Sequence, residues 1–151
     1  MPFSVNVAGL TQHRLESHTR AMTQLTFLQI PCLADNYAVI VHASQSGETV
    51  LIDAPAAATI QAALDQRGWR LSHLFVTHHH TDHTGGVVAL REKYGGSVAG
   101  PEGEADRIPL IDQAVSEKTT LKFAGLDVHV IETPGHTLGH IAYVIPSVKV
   151  A

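Results

Sequence analysis

Cysteine is nearly absent from this sequence: Cys32 stands alone among 151 residues. One thiol cannot close an intramolecular disulfide, which fits a reducing compartment and leads to the expectation of a cytoplasmic protein. Cys32 is read as a small buried side chain in preference to a nucleophile. Charge is also sparse, at 16% of residues, and the 10 Lys and Arg are outnumbered by 14 Asp and Glu. No basic patch offers itself to nucleic acid, so no such partner is expected. Long hydrophobic runs are missing too. None approaches the roughly 20 apolar residues that span a bilayer, and no membrane partner is expected. What remains is a hydrophobic content of 44%, enough for a core at one-domain length and too high for a disordered chain.

The first 21 residues differ from the rest. They are polar and lack the apolar centre of a secretory signal. They are expected to be a disordered extension, with translation starting at Met22 and one domain over 22–151. From there the pattern is regular. Leu25 to Ile30, Tyr37 to His42 and Thr49 to Asp53 read as strands. Pro55 opens a helix to about Arg67 with Ile60, Ala63 and Leu64 on one face, and Gly68 stops it. Leu71 to Thr77 reads as an apolar strand, Val87 to Tyr94 as a helix, and Ser97 to Ala99 as a short strand. The stretch 101–116, with its Pro, Gly and acidic residues, reads as loops. Thr119 to Phe123 and Asp127 to Ile131 flank a turn at Ala124-Gly125 and read as a hairpin. Ile141 to Ile145 is a last strand. Strands and helices alternate in the first half, which favours an α/β class.

Histidine is the residue in excess. Four of 11 fall in THHHTDHTGG at 77–86. In an extended segment side chains alternate, so His78 and His80 point one way and His79 the other. Two neutral imidazoles on one side make half of a zinc site. Asp82 and His83 follow where the chain turns into a helix, and can face a second, neighbouring cation. Gly85 and Gly86 let the helix start come close to the loop. A solvated, accidental His-rich loop is the bland alternative. The punctuated TPGHT at 133–137 carries His136 on a tight turn. Alone it reads as a turn residue; beside the first loop it reads as the third imidazole. His79 is read as structural or exposed, and His42, His73 and His129 as packing residues in strands.

Together these residues resemble the metallo-β-lactamase superfamily, whose mark is His-x-His-x-Asp-His, here His78, His80, Asp82 and His83. The closer resemblance is to the glyoxalase II (hydroxyacylglutathione hydrolase) family, through THHHTDHTGG at 77–86, TPGHTLGHIAY at 133–143 and CLADNY at 32–37. The resemblance implies an αββα sandwich, α/β (α+β) in class. It implies that His78, His80 and His136 bind one divalent metal and Asp82 and His83 a second. Zinc is expected, with iron or manganese as alternatives. The resemblance further implies a role for Asp82 in orienting the attacking hydroxide. Asp53 resembles the aspartate that orients the metal loop, or it caps the helix after Pro55; both readings stay open. His140 is held as structural, behind the ligands.

The implied reaction is hydrolysis of a glutathione thioester, S-D-lactoylglutathione plus water giving glutathione and D-lactate. Family members continue with a Gly-Asp-Thr-Leu-Phe segment, whose Asp bridges the metals, then a further His and a glutathione-gripping helical domain. No Asp follows Asp127 here. The expectation is therefore the N-terminal half of the fold: one sheet with its helices, an uncovered apolar sheet face, impaired turnover, one well-held metal at most, and self-association through that face. The alternatives are a persulfide dioxygenase or lactonase of the same fold, or a non-catalytic metal-binding fragment.

Overall fold

A computed structural model describes residues 23–148. The expectations for residues 1–21 and for a start at Met22 lie outside the described residues. The chain builds strands β1 (Leu25–Cys32), β2 (Asn36–Ala43) and β3 (Thr49–Ile52), helix α1 (Ala57–Arg67) and strand β4 (His73–Phe75). Two helices, α2 (Thr81–Thr84) and α3 (Val87–Tyr94), lead to strand β5 (Ser97–Pro101). After a 3₁₀ turn at Glu102–Arg107 come β6 (Gln113–Val115), β7 (Thr120–Phe123), β8 (Leu126–Glu132) and β9 (Ile141–Val144). No helix among the described residues is long and apolar enough to cross a membrane.

Strands β1 to β6 form one sheet in sequence order. The pairs β1–β2 and β2–β3 are antiparallel; β3–β4, β4–β5 and β5–β6 are parallel. Parallel neighbours need a crossover. Helix α1 makes the first and α2–α3 the second, so both return to the same end of the sheet. Gly68 ends α1 in the left-handed region at φ 66°, as Gly at that position commonly does.

Each face of the large sheet has its own core. On one, Ile40, Leu51, Leu74 and Val98 meet Ile60 and Leu64 of α1 and Leu90 of α3. On the other, Val41, Val50, Phe75 and Ala99 meet Leu121, Phe123, Val130 and Tyr143. These partners belong to a second sheet of order β7-β8-β9. This corrects the expectation of one sheet with a bare face. The cause is the period-2 pattern of the last strands: Leu121 and Phe123, Val128 and Val130, Ile141 and Tyr143 all turn inward, and that apolar stripe packs on that face of the large sheet. The cover is incomplete. An apolar cavity of about 240 Å³ remains between the sheets, with Phe27, Val39 and Ile52 in its wall. The described layers are helix, sheet, sheet.

Three local readings also change. Strand β4 is shorter than the apolar run 71–77, because Thr77 already bends to meet Asp53. Segment 101–116 is not all loop but carries the 3₁₀ turn and β6. His129 is exposed, not packed. His42 does pack, stacked on Trp69 with centroids 4.1 Å apart, and His73 bonds to Ser97. Cys32 is buried, and burial pushes its thiol up, away from nucleophilic use.

Candidate metal centre

Three segments meet at the end of the large sheet where β3 and β4 finish. Asp53 directly follows β3 with φ 57°, a left-handed backbone that Asp tolerates better than most residues. That geometry turns its carboxylate toward the His-rich loop. Oδ1 accepts the Thr77 N–H at 2.8 Å, and Oδ2 accepts the Thr77 hydroxyl and His83 Nδ1–H, each at 2.8 Å. The alternative role as a cap for α1 is excluded: the N-cap is Ala56, with no side-chain cap bond.

The strict alternation expected of residues 78–80 does not hold, since the His79 ring lies 4.7 Å from that of His80, and the chain turns into α2 at Thr81. The rings of His78 and His80 lie 4.8 Å apart between centroids. His136 arrives from the second sheet, 4.9 Å from the His78 ring and 4.8 Å from His80. The donor atoms of His78, His80 and His136 all lie within 4.8 Å of one another, and Asp53, His78 and His83 form a second such group. Asp82 joins neither group, but its Oδ2 is 3.6 Å from His83 Nε2. His140 stands behind, its ring 4.9 Å from His78 and its Nδ1 2.7 Å from Thr133 Oγ1.

A fit to a cation is written in one atom. His78 is 1% exposed, and its Nε2 has no hydrogen-bond partner. A buried polar atom without a partner is costly. Burial, then repulsion from His83, drives His78 down to about 4, so its imidazole is neutral and its lone pair available. Neutral imidazoles are ligands for zinc and related divalent cations.

The surroundings fix the remaining donors. Because Asp53 takes the Nδ1 proton of His83, the Nε2 of that ring faces Asp82; the bond to Asp53 raises the His83 pKa. Asn36 Nδ2 donates to Asp82 Oδ2 at 2.9 Å and lies 3.5 Å from His83 Nε2. That amide holds the Asp82 carboxyl below its ordinary range. Asn36 sits in the CLADNY segment, which had no residue-level role in the sequence reading.

Glu104 was missed altogether. It is fully buried, and it bridges His79 and Gly139. Burial alone would raise its carboxyl, yet its hydrogen bonds hold it at about 2. The nearby Thr137 hydroxyl contributes by closeness, although it meets no full hydrogen-bond geometry. The signal was faint: an acidic residue between Gly103 and Ala105, in a stretch without periodicity.

Gly85 comes close to the cation loop at Thr81, as expected, whereas the close approach of Gly86 is to the segment that follows β3. A Cβ on Gly86 would stand 2.9 Å from Ala57 N and 3.0 Å from Ala54 O, and one on Gly85 2.9 Å from Thr81 O. The pair lets α3 start against the segment that follows β3.

Comparison with known proteins accords with this geometry. Residues 31–151 match the model of the metallo-beta-lactamase superfamily, and the chain belongs to that superfamily. It is 47% identical over 125 residues to a hydroxyacylglutathione hydrolase of Ruegeria pomeroyi, covering 83% of this chain and 49% of that protein. A hydroxyacylglutathione hydrolase of Cereibacter sphaeroides is 48% identical over 119 residues, covering 79% and 47%. The chain thus spans about half the length of the curated relatives it matches. Among solved structures, BLEG-1 B3 metallo-beta-lactamase has a TM-score of 0.70 at 22% identity, covering 81% of this chain and 68% of its own. ETHE1 from Myxococcus xanthus has a TM-score of 0.68 at 26% identity, covering 80% and 54%.

Proposed function

We propose that this chain carries the metal loops of a hydroxyacylglutathione hydrolase, a thioester hydrolase acting on S-D-lactoylglutathione to give glutathione and D-lactate. The observation that supports it most is the convergence of His78, His80 and His136 around the partnerless Nε2 of His78, in a chain 47% identical to a protein of that name.

His78, His80 and His136 hold one divalent cation, with zinc favoured by three imidazoles and iron or manganese as alternatives. Asp82 and His83 offer donors toward a second. Such a cation supplies Lewis acidity that makes hydroxide available near neutral pH and polarises the thioester carbonyl. The chain's own groups do the positioning. Asp53 fixes the tautomer and direction of His83, and His140 backs the His78 ring. Asp82, held by Asn36, presents a carboxylate oxygen that orients the attacking water. Because Asp82 joins neither three-residue donor group, the second cation is held weakly and turnover is slow. The site belongs to a cytoplasmic protein in this reading.

The test is metal content of the purified chain with hydrolysis of S-D-lactoylglutathione assayed on the same sample. One cation per chain and slow hydrolysis are expected, both lost in His78→Ala. A chain that takes up no cation overturns the metal reading. One iron per chain with persulfide oxidation and no thioester hydrolysis overturns the substrate class. Self-association is proposed at the mouth of the inter-sheet cavity, where Phe27 is 43% exposed. A monomer at every concentration in sedimentation velocity ends that reading.

A further inference from the structure

The most deeply buried charged side chain in the described molecule belongs to a residue with no role so far. Glu104 is 0% exposed, and it comes from neither of the loops that bear the imidazoles. Its Oε2 accepts the backbone N–H of His79 at 2.8 Å and lies 2.7 Å from His79 Nδ1. Its Oε1 accepts the N–H of Gly139 at 3.0 Å. One oxygen thus serves the loop that carries His78 and His80, and the other serves the loop that carries His136. On its far side, His79 Nε2 lies 3.2 Å from Arg107 Nη1. A carboxylate only accepts and a guanidinium only donates, so His79 carries its proton on Nδ1. This pairing fixes the His79 ring, which packs edge-on against His80 with centroids 4.7 Å apart.

The fit is tight on the other loop. A Cβ on Gly139 would come within 2.6 Å of Glu104 Cγ and 3.2 Å of its Cδ. The loop itself is closed by Thr133 N–H to His140 O at 2.8 Å, and tied to the first loop by Ile141 N–H to Thr77 O at 3.1 Å. Besides that backbone contact and the approach of His80 Nδ1 to His136 Nε2 at 3.1 Å, Glu104 bonds to both loops at once.

We propose that Glu104 is a positioning residue for the His78, His80 and His136 cluster, a buried two-oxygen clamp that sets the distance between the two imidazole-bearing loops. The clamp rests on the metal reading above for its purpose, but its geometry does not depend on it. Residues that orient ligands from behind typically change metal affinity about 10–100-fold when altered.

The test compares the unaltered chain with Glu104→Gln and Gly139→Ala. Co(II) is titrated against a chromogenic chelator, and amide hydrogen exchange is followed in the metal-free chains. Glu104→Gln is expected to weaken Co(II) binding about 10–100-fold, to alter its visible absorption, and to speed exchange at His79 and Gly139. Amides of β2 and β3 should keep their protection, which a general loss of structure would not allow. Affinity within about twofold of the unaltered chain overturns the proposal. Should Glu104→Gln fail to fold, Gly139→Ala displaces the same carboxylate from the other side, and the same criterion applies to it. If the unaltered chain binds no Co(II), the three-imidazole reading fails by itself. The clamp is then decided by exchange at His79 and Gly139: faster in the variant supports it, unchanged overturns it.

Discussion

His83 Nδ1 stands 2.8 Å from Asp53 Oδ2, although 30 residues separate them and Asp53 takes a left-handed backbone to make the contact. The same carboxylate accepts both donors of Thr77. Asp53→Ala therefore removes the acceptor of three half-buried donors at once, leaving the Thr77 hydroxyl only its contact with His78 Nδ1 at 2.9 Å, and puts an alanine in a conformation it disfavours. A fully buried donor without a partner costs about 1–3 kcal/mol, and half-buried ones less each. Urea unfolding of the metal-free chain should show a loss of about 1–3 kcal/mol. Asp53→Asn, which keeps an acceptor and tolerates the backbone, should lose less.

His80 and His79 are adjacent, with ring centroids 4.7 Å apart, but His80 belongs to the three-imidazole group and His79 does not, so they make a sharp comparison. Zinc should raise the melting temperature of the unaltered chain, and a chelator should reverse the rise. His80→Ala should abolish it. His79→Ala should keep a zinc-dependent rise, smaller because the partner of Glu104 is gone, while its zinc-free melting temperature falls.

Acid should weaken the fold through Glu104. Its ordinary value of 4.5 drops to about 2 in the folded chain. A carboxyl lowered by folding stabilises the native state above its unfolded value, and that stabilisation fades as pH falls toward the folded value. The stability difference between the unaltered chain and Glu104→Gln should thus be full at neutral pH and shrink between pH 4.5 and about 2. Urea midpoints across that window check it; a constant difference would contradict it.

Gly86→Ala places a methyl group 2.9 Å from Ala57 N and 3.0 Å from Ala54 O. Both atoms are backbone, and Gly86 N–H already bonds Ala54 O at 2.7 Å. Neither side can yield cheaply. Overpacking of this kind costs about 1–3 kcal/mol or more, and thermal unfolding should show it. Gly47→Ala meets no atom within 4 Å but sits at φ 76°, so its smaller loss isolates backbone strain.

Phe123 is fully buried where the second sheet meets the first. Phe123→Ala should cost about 3–5 kcal/mol. It should also raise hydrogen exchange in β7 and β8 more than in β3, which the helices still cover from the other face.

The parts of this architecture that repeat were open to sequence reading. Alternation at Leu121 and Phe123 and at Ile141 and Tyr143 marks half-buried strands, and the spacing of His78 and His80 follows from the same period. What periodicity cannot give is the partner of each face. The strands after Lys118 were recognised as strands, yet their packing onto Val41, Val50 and Phe75 is a tertiary fact. Glu104 was invisible for a related reason: glutamate is almost always exposed, and only the meeting of two distant loops makes a dry place for it. Asp53 could cap a helix or serve a histidine until its backbone angle decided. Asn36 lay in a recognised segment, but its reach of 46 residues to Asp82 leaves no trace in local sequence.

His80 belongs to the loop after β4, and His136 to the turn between β8 and β9, in the other sheet. A cation shared by the two is in effect a rivet through the sandwich. Anything that binds only the docked arrangement stabilises it by mass action. On the proposed metal reading, free cation concentration is expected to set how firmly the sheets hold together, and a chelator is expected to act as a mild denaturant of the joint while leaving each sheet's own ladder of hydrogen bonds in place.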